Sequence, residues 1–296
     1  MKDTDYPVAV PHGSVTVGSV EVVALCDGAA DYHSEIEVAY PGIPHDAWEP
    51  FRKRYPDEFA ASGTWRLHVH CFAVRASGST ILVDTGVGPP GAPATGWFGG
   101  PGRLPEELTA AGVKPADVDT VLITHLHDDH IGWNVDAGAP RFPNARFVVQ
   151  AADWEPFREP ADEEDRAIAE QLLRPLEDAG AVDLVEGEAV LGDDVLAFHT
   201  PGHTPGHQSV LVSSDRDRLL VSGDLTNHPA QLHEPRWAAG SDADPAMAAD
   251  TRVRVLDRVE RERMAYATGH FAEPFGRVER DGAGWAWVPD TGRRNG

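Results

Sequence analysis

The stretch Thr124-His125-Leu126-His127-Asp128-Asp129-His130 decides the reading of this chain. It follows directly on the apolar run Val121-Leu122-Ile123, where a buried strand gives way to a loop. Imidazole and carboxylate groups together suit a borderline divalent ion such as zinc. His125, His127, Asp129 and His130 place four such ligands within six residues, a density that fits two neighbouring ions better than one. A solvated turn that happens to be rich in histidine is the competing account, and the rest of the chain argues against it.

Working outward, three more candidate ligands each close a strand-like segment. His203 stands in Thr200-Pro201-Gly202-His203-Thr204 after Val195 to Phe198, Asp224 in Ser222-Gly223-Asp224 after Leu219 to Val221, and His270 in Thr268-Gly269-His270 after Met264 to Ala267. Glycine just ahead of each ligand permits the turn and close backbone approach of a crowded metal site. Upstream, Leu67 to Val83 reads as a hairpin turned at Gly78 and ending in Val83-Asp84-Thr85-Gly86.

The order His125-x-His127-x-Asp129-His130, His203, Asp224, His270, with Ile81-Leu82-Val83-Asp84-Thr85-Gly86 before it, resembles the metallo-β-lactamase superfamily from about Val20 to Phe271. The resemblance implies an α/β fold: a four-layered αβ/βα sandwich of two mixed sheets with the metals held by loops along one edge. It further implies that His125, His127 and His203 hold a first ion, that Asp129, His130 and His270 hold a second, and that Asp224 bridges them. Asp84 would orient a ligand histidine from behind. The implied reaction is hydrolysis by a hydroxide bridging two divalent ions, zinc first, with iron or manganese as alternatives. Asp129 and Asp224 would carry the catalysis, Asp129 taking or steering the proton.

The run Gly223-Asp224-Leu225-Thr226-Asn227-His228-Pro229-Ala230-Gln231 is similar to the branch that includes methyl parathion hydrolase and related lactonases. There His228 would donate to a substrate oxygen; packing beneath the following helix is its alternative role. Asn227 stands where acyl-homoserine lactonases often carry a tyrosine. The expected substrate is a small ester, lactone or organophosphate-like molecule. A thioesterase or cyclase of a biosynthetic pathway, a mononuclear-iron relative of persulfide dioxygenases, and a non-enzymatic metal-stabilised binding module are the other readings. His207 reads as a residue behind the ligands or a turn residue, and Trp97, Phe98, Trp133 and Trp237 as pocket walls or core. His68 and His70 share a strand face and are not expected to bind metal; His12, His33 and His45 fall in N-terminal loops.

Composition bounds the rest. The 296 residues are read as one domain, 1–296, with 27–63 and 151–180 as lids or surface insertions. A formal charge of −23 argues against nucleic acid. The apolar runs are too short for a membrane helix, and Met1 to Pro7 lack the core of a secretory signal, so a cytoplasmic protein without membrane contact is expected. Cys26 and Cys71 read as buried free thiols, and a homodimer is compatible with the composition. Asp162 to Ala179 is expected to be an amphipathic helix, and Asp244-Pro245 to open another carrying Met247, Val253, Leu256 and Val259 inward.

Overall fold

A computed structural model describes residues 13–32 and 35–290, with only the backbone at Glu164. Met1 to Pro7, His12 and His33 lie outside the described residues. Two seven-stranded sheets form the centre of the molecule. In the first, Ser14–Val17, Val20–Asp31, Arg66–Ala76 and Ser79–Val83 are antiparallel neighbours, and Thr120–Leu122, Arg146–Gln150 and Val182–Val185 then add in parallel. The second runs from Ala189–Gly192 to Gly284–Pro289 and is antiparallel except where Asp217–Val221 meets Ala265–Ala267. Both sheets are mixed, as expected.

The hydrophobic residues sort into layers. Val22, Phe72, Val74, Ile81 and Val83 of the first sheet interlock with Val210, Val212, Leu219, Val221 and Phe275 of the second. The opposite face of the first sheet, through Val23, Leu25, Val121 and Phe147, packs on Leu104, Leu108, Leu172 and Leu176. The outer face of the second, through Leu220, Tyr266 and Trp285, packs on Val255, Leu256 and Val259. Burying both faces of each sheet turns its strands into nearly continuous apolar runs and gives the αβ/βα layering.

Local signals hold where chemistry fixes them. The Asp244 side chain caps the helix Pro245–Arg261 by accepting from the Met247 N–H at 3.0 Å. Met247 itself is 45% exposed, not inward, because Ala248 and Ala249 occupy the buried side of the helix there. The expected helix from Asp162 begins on an Asp162 cap and passes through a π segment, Ala169–Leu173. The segment 27–63 is more than a surface excursion. Its first residues extend the Val20–Asp31 strand across a bulge, and Ile36, Tyr40 and Trp48 are fully buried. The glycine-rich run Gly86 to Gly102 carries a short helix, Thr95–Phe98. Cys71 is buried and Cys26 half-buried, both free. Among the described residues no helix is long and apolar enough to cross a membrane.

Candidate metal centre

The loops that leave the strands Ser79–Val83, Thr120–Leu122, Val195–His199, Asp217–Val221 and Ala265–Ala267 emerge at one edge of the two sheets. Those loops deliver Asp84, the His125 to His130 run, His203, Asp224 and His270 to a single spot. One group, His125, His127, His203 and Asp224, has its ligand atoms within 4.8 Å of one another, and Asp129, His130 and His270 form a second such group.

The hydrogen bonds dictate which ring nitrogen faces inward. The Asp84 carboxylate accepts from the Thr124 N–H at 2.7 Å and from its hydroxyl at 2.8 Å, so the Thr124 oxygen is left to accept from His125 Nδ1–H at 3.0 Å. His130 Nδ1–H also donates to Asp84, at 2.8 Å, and His270 Nδ1–H donates to the His68 carbonyl at 2.7 Å. Each outward N–H therefore has an acceptor, and Nε2 of His125, His130 and His270 presents a lone pair to the centre. His127 turns Nδ1 inward, 3.0 Å from Nε2 of both His125 and His203. Several lone pairs converging at such distances cannot satisfy one another as hydrogen bonds; a cation satisfies them all.

Asp224 faces both groups. Its Oδ1 is 3.2 Å from His130 Nε2 and 3.1 Å from His270 Nε2, while its Oδ2 is 3.2 Å from His203 Nε2. Burial disfavours its charge, yet the surrounding imidazoles hold its carboxyl well below the usual range. The converse holds for His203. Burial opposes its protonation, but Asp224 and Asp242 outweigh burial and push it up to about 9. The field at this junction thus favours positive charge, and the donor set fits divalent cations.

Glycine matters here at two positions. A Cβ on Gly223, at φ +55°, would lie 2.7 Å from His207 Nε2, and one on Gly202, at φ +134°, would lie 2.2 Å from the Ala248 backbone nitrogen. Asp84, at φ +61°, is held in the left-handed region by its three bonds.

His207 stands behind the ligands. Its Nε2 accepts the Asp224 N–H at 2.9 Å and its Nδ1–H donates to the Thr200 carbonyl at 3.0 Å. His68 and His70 are buried on their strand outside both groups, and Trp133 is core. His228 is not brought to the centre. It is fully buried among Tyr40, Trp48, Phe59 and Trp65, and its Nδ1 accepts the Ala230 N–H at 3.0 Å. The aromatic residues of 36–65 close over it, so its side chain packs rather than meeting substrate.

Two supporting carboxylates escaped sequence reasoning. Asp242 accepts His203 Nδ1–H at 2.9 Å. Asp153 binds the Thr204 hydroxyl at 2.7 Å and the Gly206 N–H, fixing the loop that carries His203. Neither lies in a recognisable motif, and both are remote in sequence from what they hold.

A cavity of about 550 Å³ opens on both groups. His127, Asp129, Asp224 and His270 form its floor; Tyr32, Trp65, Leu67 and Trp97 line its walls, with Asn227 and Ala239 to Ser241 beside them. Trp97 Nε1–H donates to Asp128 Oδ2 at 2.8 Å, pinning the wall to the histidine run. Of the two segments expected as lids, 27–63 contributes Tyr32, Val38 and Ala39 to this cavity, whereas 151–180 contributes no lining residue among those described.

Comparison with known proteins agrees with this architecture. Residues 64–270 match the family model of the metallo-beta-lactamase superfamily. The chain is 29% identical over 221 residues to an N-acyl homoserine lactonase of a Bacillus species, covering 70% of this chain and 82% of that protein. It superimposes on the crystal structure of the hydrolase AbOPH with a TM-score of 0.83 at 24% identity, over 96% of this chain and 98% of the other. With AidC, a dizinc quorum-quenching lactonase in complex with a product N-hexanoyl-L-homoserine, the TM-score is 0.81 at 22% identity, over 95% and 98%. Two mixed sheets with flanking helices, a His and Asp cluster at their shared edge and a family match over most of its length lead to one conclusion: the chain belongs to the metallo-β-lactamase superfamily and is a metal-dependent hydrolase.

Proposed function

We propose that this chain is a dinuclear zinc hydrolase of uncharged esters, with lactones bearing an apolar chain as the preferred class. His125, His127 and His203 would hold the first ion and Asp129, His130 and His270 the second, with Asp224 between them. The observation that carries the substrate class is the cavity lining: aromatic and aliphatic walls above the ligands, and no lysine or arginine lining it among the described residues. An anionic substrate would find no cationic side chain there, whereas an apolar chain would be received by Tyr32, Trp65, Leu67 and Trp97. The resemblance to a lactonase over most of both chains supports the same class.

When bound, the two ions would supply Lewis acidity, polarising a substrate carbonyl and lowering the pKa of water. The protein's own groups do the rest. Asp129, with its carboxylate oxygens 3.8 Å from His130 Nε2 and His270 Nε2, lines the cavity floor and accepts the proton of the attacking water. Asn227 Nδ2–H donates to Asp224 Oδ2 at 2.5 Å and fixes its orientation. Trp65 and Trp97 exclude bulk water from the reacting face. Neither serine nor cysteine is needed as a nucleophile.

The test is a substrate panel on protein whose metal content is measured. Two zinc ions per chain and the highest kcat/KM for neutral N-acyl lactones or alkyl esters are expected. Best turnover of an anionic thioester, or turnover that survives metal removal, would overturn the reading. A neutral phosphotriester is the second substrate to include, because the same uncharged lining would accept it.

A further inference from the structure

The side chain of Asp242 is fully enclosed, and it holds two different things at once. Its Oδ1 accepts His203 Nδ1–H at 2.9 Å, and its Oδ2 accepts the Ala239 N–H at 2.9 Å. Ala239, Gly240 and Ser241 are a wall of the cavity. The neighbouring backbone is laced to the same loop: the Ala243 N–H donates to the His203 carbonyl and the Asp244 N–H to that of Gly202, both at 2.9 Å.

Behind Asp242 stands Arg252, also fully buried, with one guanidinium nitrogen 3.6 Å from Asp242 Oδ2. Its other donors are taken by carbonyls: Leu225 at 2.6 Å, just past Asp224, and Pro235 and Trp237 at 2.9 Å, just before the wall. A buried carboxylate is costly unless paired, and Arg252 stands against Oδ2 without competing for the oxygen that His203 uses. The layout parallels that of the other group, where Asp84 stands behind His130.

From this geometry we infer that Asp242, held by Arg252, is the positioning residue of the first ion and couples occupancy of that site to the Ala239–Ser241 wall. The carboxylate fixes the His203 proton on Nδ1, keeps the Nε2 lone pair facing the centre and raises its basicity. Because one carboxylate serves both the ligand and the wall, a change that loosens His203 also moves the surface against which substrate rests. The inference rests on the metal reading given above.

Competition between the zinc-loaded protein and a chromophoric chelator tests it. One zinc equivalent should bind about 10-fold more weakly in Asp242→Asn and about 100-fold more weakly in Asp242→Ala, with the other equivalent unchanged. His203→Ala should lose the same equivalent and His130→Ala the other one. In ¹H–¹⁵N spectra of the imidazoles, the His203 Nδ1–H signal seen in the parent should vanish in Asp242→Ala. Should Asp242→Ala not fold, Asp242→Asn, which preserves shape and an oxygen acceptor, decides the matter alone. Wild-type stepwise affinities in both Asp242 variants, with one equivalent lost in His203→Ala, would overturn the inference and spare the metal reading. No zinc uptake by the parent chain would overturn both.

Discussion

His228 gives the most demanding test, because motif resemblance assigns it to the substrate and the structure assigns it to the core. Its ring is fully buried, its Nε2 has no hydrogen-bond partner, and burial with Arg52 nearby pushes its pKa from 6.5 down to about 3. The unfolded chain takes up this proton near pH 6.5 while the folded chain refuses it until about pH 3, so stability falls as pH drops through that window. Between pH 7 and pH 5 this one group should cost about 2 kcal/mol, since each pH unit below the unfolded pKa is worth about 1.4 kcal/mol. Asparagine at 228 removes the titration, and its Oδ1 can still accept the Ala230 N–H. Whatever offset the replacement introduces applies at both pH values and cancels in the difference, as does the pH dependence of metal binding. Denaturant unfolding of zinc-loaded parent and His228→Asn at pH 7 and pH 5 should therefore show the variant losing about 2 kcal/mol less. Equal losses in the two proteins would refute the burial argument. A fall in kcat/KM of the fully folded variant by more than about 100-fold, the low end for a lost transition-state donor, would return His228 to the active site.

Further outcomes follow from the same geometry. Asp224→Ala should abolish turnover and leave the protein with fewer than two ions by elemental analysis, since no other carboxylate among the described residues faces both groups. Asp84→Asn turns one of two accepting carboxylate oxygens into a donor and removes the negative charge facing His130 Nδ1–H. Losing that charge-assisted bond should weaken one zinc equivalent by roughly 10- to 100-fold in chelator titration. Trp97→Ala should raise KM for long-chain substrates about 10-fold while sparing kcat and short-chain substrates, as read from a chain-length series. Gly202→Ala should cost about 3 kcal/mol or more in denaturant unfolding, because its Cβ would meet backbone, which cannot step aside as a side chain can.

Much of the fold was legible because its signals are local. Apolar runs bounded by glycine marked most strands near Asp84, His125, His203, Asp224 and His270, and Asp244-Pro245 marked the start of a 17-residue helix. Where expectation and structure part, a long-range contact decides. The 27–63 segment looks polar and proline-rich along its length, yet its few aromatics meet Trp65, Trp237 and His228 from elsewhere and become core. Met247 fits the apolar stripe of its helix, but Ala248 and Ala249 take the buried side of that turn, where Ala248 meets Gly202.

The site divides along the same line. Residue order alone brought His125, His127, Asp129, His130, His203, Asp224 and His270 forward as one set, because glycine-preceded ligands at strand ends can be recognised one segment at a time. Which nitrogen each histidine turns inward, and the parts played by Asp242, Arg252 and Asp153, were decided only by tertiary structure. Hydrogen bonds between groups 39 or 51 positions apart leave no periodicity or spacing in the sequence. Their strength depends on burial, which only the folded chain creates.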